Sequence, residues 1–263
     1  MLKTLNNFYK TPMKSGFSGR KSERGNVLFL ILIAVVLFAA LSYAVTQSSR
    51  SGGGGTDGEA NLVNSAQITQ YPASVRTAIV RMIIGGTDVT QMNFDPPSQF
   101  GTTCNAASTA CVFHPGGGGA TRVTAPPEIM SAGTQGVWIF SSAYDIENIG
   151  TTTATNGSND IIAFLPGVSQ SICERLNTEL GVSAGTDADG DNVPDAGIAL
   201  GNVPTPADEM DNDNLGIGPA ALGAAQRLLN NLSGQPFGCA DFDSGNDQAD
   251  DSDLVYFHVL VER

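Results

Sequence analysis

Apolar positions are unevenly spread along the chain, and their spacing outlines its elements. The longest run extends from Val27 to Val45 with only Ser42 and Tyr43 as polar interruptions. About 20 apolar residues rising ~1.5 Å each cross a bilayer core, so residues 26–50 are predicted to be a transmembrane helix. Ser51 and four glycines follow, and residues 51–56 read as a hinge because glycine is costly inside helices and common in flexible connectors. A second helix is expected to start at Thr56, where Thr56-Asp57-Gly58-Glu59 has the capping-box pattern that satisfies the free amides of a first turn. Leu62, Ala66, Val75, Ile79, Met82 and Ile83 continue it at near-helical spacing, and Gly85-Gly86 end it. Pro72 lacks an amide proton and clashes with the preceding turn, which predicts a kink or break near Tyr71.

Residues 87–136 are rich in turn formers, among them Pro96-Pro97 and Gly116–Gly119, and the glycine run reads as a flexible surface loop. A phosphate-cradling loop needs a lysine and a hydroxyl residue directly after its last glycine, whereas Ala120-Thr121 follow here. Val137–Ser142 and Ile161–Leu165 have strand character, with the intervening TTTATNGSND as a hairpin tip. Ser171-Ile172-Cys173-Glu174 predicts the start of another helix, stopped by Gly181. A third is expected from Pro219 to Leu232, with Gly234 as terminator. Leu254–Glu262 is apolar on both alternate faces, as suits a strand buried on both sides. This order predicts an α+β class: an N-terminal transmembrane helix followed by a loop-rich globular head, residues 57–263, with a mixed or antiparallel sheet.

Charge orients these parts. The net charge is −13, but Lys3, Lys10, Lys14, Arg20, Lys21 and Arg24 all precede Gly25, leaving 7 basic against 25 acidic residues and a net charge of −18. The positive-inside rule then makes residues 1–25 a basic cytoplasmic leader and places the head outside. A secretory signal peptide and a plain single-pass anchor fit the same apolar run. An exterior this acidic repels nucleic acid and anionic lipid and favours cations.

Basic residues, then Gly25, then an apolar helix that starts at once: this junction resembles that of type IV prepilins and pseudopilins, whose leader is cut on the cytoplasmic side just after the glycine. The resemblance covers residues 20–50. It implies processing between Gly25 and Asn26, a single pass of the inner membrane, and assembly with further copies or with other pilin-like subunits in a filament. A long first helix running from the membrane into the head is part of that expectation. The chain departs from the family at two places, with Asn26 where Phe or Met usually stands first and Leu30 where Glu stands fifth. In the family that carboxylate is thought to pair with the next subunit's amino terminus.

The four cysteines, Cys104, Cys111, Cys173 and Cys239, are an even number in a segment expected to be exported, where disulfides persist. Three pairings are possible. The small polar stretch between Cys104 and Cys111 can close a compact loop, which favours Cys104–Cys111 with Cys173–Cys239.

The densest chemistry lies at Asp187-Ala188-Asp189-Gly190-Asp191-Asn192-Val193-Pro194-Asp195. Calcium takes six to eight oxygens at ~2.3–2.6 Å, and carboxylates at alternate positions of a tight turn can converge on one ion. Asp187, Asp189, Asp191 and Asp195 supply side-chain oxygens, and the Val193 carbonyl is a further candidate. The pattern resembles the calcium repeats of thrombospondin type 3 modules and, in its first half, an EF-hand loop; Ile198 stands where an EF-hand has its bidentate Glu. Asp208, Glu209, Asp211 and Asp213 are candidates for a missing ligand, and a solvated acidic turn is the alternative. The second acidic run, Asp241–Asp253, has no recognisable ligand spacing and reads as solvated.

Catalytic patterns do not stand out. His258 lies in the last predicted strand as a core histidine, Trp138 reads as core, and neither a G-x-S-x-G elbow nor an H-E-x-x-H helix occurs. The sequence therefore predicts a non-enzymatic structural subunit of a pilus-like or pseudopilus-like filament, with a calcium-binding head. The alternative is a monomeric anchored ectodomain that binds a glycan or a protein.

Overall fold

The computed structural model describes residues 24–51, 53–100, 104, 108–150, 159–182, 187, 190, 192–197, 203–210, 227–242 and 253–263. The chain divides into two compact units, Met1–Gly55 and Thr56–Arg263.

The first unit holds helix α1, Arg24–Ser51. Its window Val27–Ala44 has a mean hydropathy of 2.8 and buries nothing. At 1.5 Å per residue that window alone is about 27 Å long, close to the thickness of a bilayer's hydrocarbon core. Among the described residues it is the one helix long and apolar enough to span a membrane, and an N-terminal signal sequence has the same character.

Helix α2, Gly53–Ile84, starts before Thr56. Glycine makes helical geometry costly, about 1 kcal/mol each relative to alanine, without forbidding it. Gly53–Gly55 are accordingly helical instead of forming the expected break. The helix also runs through Pro72 undivided. Pro72 is buried on the same face as Ser65, Ile68, Val75, Ile79 and Met82, a seam spaced alternately by three and four residues. Packing of the turns on either side of the proline offsets the hydrogen bond it removes. Ala66 and Ile83, expected on the apolar face, are exposed.

That seam lies against one core of the head. Four strands, β1 (Ile139–Ser141), β3 (Ile161–Pro166), β6 (Leu254–Val261) and β5 (Phe237–Asp241), form an antiparallel sheet in the order β1-β3-β6-β5. Residues alternate between the sheet's faces, as the strand period requires. Ile161, Ala163 and Leu165 of β3 with Leu254, Tyr256 and Leu260 of β6 join the core of α2. Ile162 and Phe164 with Val255, Phe257 and Val259 join a second core on the other face. Leu260 is the unpaired residue of a bulge between the Ile161↔Val261 and Ile162↔Val259 pairs. The second core is completed by Leu229, Leu232 and a two-stranded parallel pair, β2 (Tyr144–Ile146) with β4 (Arg227–Leu229).

Helix α3, Gln170–Leu180, covers the edge strand β5. Its N-cap is Ser169, two residues before the Ser171 that the capping-box pattern predicts, the Ser169 side chain makes no cap hydrogen bond, and the helix ends on Gly181 at φ +69°. An edge strand exposes unpaired amides. Here the Asn177 side chain closes them, donating to the Cys239 carbonyl and accepting from the Cys239 N–H, both at 2.9 Å.

Two further expectations change. Arg227–Leu229 is strand and Asn230–Leu232 a single 3-10 turn, not the end of a helix. Three leucines in a short segment satisfy either period, and pairing with β2 decides it; residues 219–226 lie outside the described residues, as does most of the expected hairpin tip. Gly116–Gly119 is an ordered turn, with Gly117 and Gly119 amides donating to the His114 carbonyl and Gly118 donating to that of Cys111. Gly118 is buried, and a Cβ there would lie 2.8 Å from Met82 Sδ. Replacing Gly118 by Ala is therefore expected to lower unfolding free energy by about 1–3 kcal/mol, the usual cost of overpacking. Replacing the exposed Gly116 should change it by less than about 0.5 kcal/mol, and urea denaturation of the two variants compares them directly.

Candidate functional site

The acidic loop is tied to the sheet at its far end. Asp187 accepts from the Gly190 N–H at 2.7 Å and from the Asn192 N–H at 3.2 Å, one bond to each carboxylate oxygen. Gly190 (φ +82°) and Asn192 (φ +67°) take left-handed geometry, which Gly and Asn tolerate best. Val193 then enters the helix-side core, fully buried. Asp195 bridges Asp241 in parallel fashion: the Asp241 N–H donates to the Pro194 carbonyl at 2.9 Å, and the Ala196 N–H donates to the Asp241 carbonyl at 2.6 Å. Both aspartates are buried. The two acidic runs, far apart in sequence, thus meet where Asp241 ends β5.

Of the five expected ligands, Asp187, Val193 and Asp195 are placed, and Asp189 and Asp191 lie outside the described residues. Asp208 and Glu209 have other roles. The Asp208 carboxylate accepts from both the N–H and the hydroxyl of Thr205, at 2.9 and 2.8 Å. Glu209 meets the Arg122 guanidinium at 2.7 Å, and Arg122 also donates to the Phe94 and Trp138 carbonyls and lies over the Phe113 and Phe140 rings. Asp211 and Asp213 are outside the described residues. Among the described residues no three His, Cys, Asp or Glu side chains gather as a metal site.

Cysteines pair as Cys104–Cys111 and Cys173–Cys239, with Cα separations of 6.0 and 5.2 Å, and none is left over. The second pair joins α3 to β5 beside the Asn177 clamp. Gly25 and Asn26 lie in the first turn of α1.

Another acidic group escaped the sequence. Asp145, in the middle of β2, and Asp160, just before β3, are 1% and 0% exposed, and Asn159 is 1% exposed. Among the described residues, Asp145 Oδ1, Asp160 Oδ2 and both polar atoms of the Asn159 carboxamide have no hydrogen-bond partner. The other Asp160 oxygen accepts from the Arg263 N–H at 3.0 Å. The Ile146 amide serves both carboxylates. Burial pushes the Asp145 carboxyl up to about 6. Burial, with the charge of Asp145 added, pushes Asp160 up to about 7. Fifteen residues separate them, and only the placement of β2 beside the start of β3 brings them together, so spacing alone carries no signal of the pair.

Both histidines make contacts within the head. His258 is buried in β6, stacked on Phe237 with Nδ1 3.1 Å from the Tyr256 hydroxyl, and burial depresses its pKa to about 4. His114 Nδ1 accepts the Gly116 N–H. Trp138 is buried between Tyr71 and Tyr256.

These shifts set opposite pH dependences. A carboxyl raised in the fold stabilises it most below the unfolded value of ~4 and loses that stabilisation as pH rises through the folded value; a histidine depressed in the fold stabilises above ~6.5 and loses this as pH falls towards 4. The His258 contribution cancels between the wild-type chain and an Asp160→Asn variant. In metal-free buffer the melting temperature of that variant should therefore rise relative to wild type between pH 5 and pH 8, and a pH-independent difference would show that Asp160 ionises normally. Compared with known protein families, curated proteins and solved structures, the chain matches none.

Proposed function

We propose that the chain is a type IV pilin-like or pseudopilin-like subunit, anchored in the inner membrane by α1 with its head outside the cytoplasm. The observation that carries this reading is the contrast between two neighbouring helices. The α1 window Val27–Ala44 is apolar on every side and wholly exposed, whereas α2 is seamed and packs on the head's sheet. An all-round apolar helix needs lipid or other apolar helices about it. It has both in a subunit that waits in the bilayer and then bundles with its neighbours in a filament. Leu30 offers no carboxylate for pairing with a neighbouring amino terminus, so bundling here rests on side-chain packing. The disulfides support an exported head, since such bonds persist outside the cytoplasm. The same helix in an uncut monomeric anchor would suit an ectodomain that binds a glycan or a protein. The state of the amino terminus separates the readings: protein from the native host should begin at Asn26, and an intact leader would remove the pilin-like one.

The head's proposed ion is calcium, held by Asp187, Asp189, Asp191 and Asp195 with the Val193 carbonyl. The described part of the loop fits hard-cation binding. Each Asp187 oxygen has accepted one amide, and a carboxylate oxygen has a second lone pair to give. When bound, the ion neutralises carboxylates that otherwise repel one another and fixes the loop against the end of β5. This is stabilisation of a structural head, with no catalytic step. Calcium bound only by the folded form adds RT ln(1 + [L]/Kd), ~2.7 kcal/mol at a hundredfold excess over Kd. Millimolar calcium should thus raise the melting temperature reversibly, and Asp189→Asn with Asp191→Asn should weaken the response while preserving the fold. Loss of the response in Asp→Asn variants of the 241–253 run alone would instead place the ion there.

A further inference from the structure

The arrangement around Asp145 and Asp160 is costly as it stands. A carboxylate withdrawn from water needs a counter-charge or a full set of donors. Both side chains share the Ile146 amide, Asp160 has one further amide from Arg263, and one oxygen of each has no partner among the described residues. Nearby charge makes matters worse, because Glu262 also acts on Asp160. No lysine or arginine forms an ion pair with either aspartate among the described residues. Arg263 offers Asp160 its backbone amide, and the charge of its guanidinium acts on Asp88.

Next to Asp160 in the chain, Asn159 is buried with its whole carboxamide unpartnered among the described residues. The unused atoms therefore include three oxygens: one from each aspartate and one from the amide. All are hard donors, no sulfur or imidazole is among them, and the two carboxylates carry the charge of one divalent ion. Such a set suits calcium, which accepts carboxylate, amide and backbone oxygens in irregular geometry, better than zinc or copper, which favour nitrogen and sulfur.

We propose that Asp145, Asp160 and Asn159 form a second, internal calcium site between β2 and the start of β3. The ion would join the small parallel pair to the main sheet from within the head, where the Asp187–Asp195 loop joins it from the surface. This site stands on its own residues and does not depend on the pilin-like reading or on the loop binding calcium.

The test uses the full chain in detergent micelles, stripped with chelator and dialysed against calcium chloride at pH 7.5, with bound calcium counted per chain. In a chain carrying Asp189→Asn and Asp191→Asn, one calcium should still bind, and adding Asp160→Asn should remove it. Asp145→Asn in the same background should have the same effect. Either substitution leaving the stoichiometry unchanged would overturn the site and leave the aspartates as a pair sharing a proton. Should both buried variants fail to fold, the background chain still decides: if it binds no calcium with its internal residues intact, the proposal is wrong. Magnesium chloride in place of calcium should leave the count at zero in the background chain, and equal binding of the two would overturn the assignment to calcium.

Discussion

The pairing of β3 with β6 is the constraint on which the head depends. Six register pairs join them, and both strands are buried on both faces. A sheet interior of this kind cannot be left half-covered, because every other side chain on either face is apolar and its exposure would forfeit about 25 cal/mol per Å². Helices α2 and α3 cover one face; the β2–β4 pair with Leu229, Leu232 and Phe242 covers the other. The edge strands then become the vulnerable places. On one of them Asn177 and the Cys173–Cys239 bond close β5 by polar and covalent means at the same residue.

The same sheet decides where the acidic loops go. β5 ends at Asp241, and the backbone there takes Asp195 as a bridge partner, so the 187–195 loop inherits its anchor from a strand far along the chain. On the helix side, Arg122 holds Glu209, two backbone carbonyls and two aromatic rings, and its position fixes the Pro206–Asp208 turn beside β1. Asp208 and Glu209, two of the candidate distant ligands, are thereby engaged in holding the head together.

Legibility in the sequence followed the length of each periodic signal. β6 was readable because its eight residues are apolar on both faces, β3 because a compact apolar run is bounded by polar residues, and the end of α3 because Gly181 takes the left-handed geometry that glycine favours. β2 and β4 were not readable, since three residues each carry no period and their pairing is a tertiary choice. The glycines of α2 were misread, and Pro72 does not divide the helix, for a related reason: propensity prices each residue alone, whereas a buried seam from Ser65 to Met82 outweighs several such costs. The disulfide pairing was suggested by the short Cys104–Cys111 spacing. The Asp145–Asp160 pair had no comparable clue, because it exists only after β2 has been placed.

Charge ties these observations together. Among the described residues seven acidic side chains are buried: Asp95, Asp145, Asp160, Asp195, Asp208, Glu209 and Asp241. After Gly25 the chain has 7 basic residues against 25 acidic ones, too few for ion pairing to be the general solution. Glu209 takes Arg122, and Asp208 is satisfied by the backbone and hydroxyl of Thr205. Asp145 and Asp160 have neither device, and one oxygen of each is unpartnered among the described residues. With Arg122 already committed to Glu209, the head keeps these two carboxyls by favouring their protonated form, since neutralising a buried acid costs less than leaving its charge unmatched.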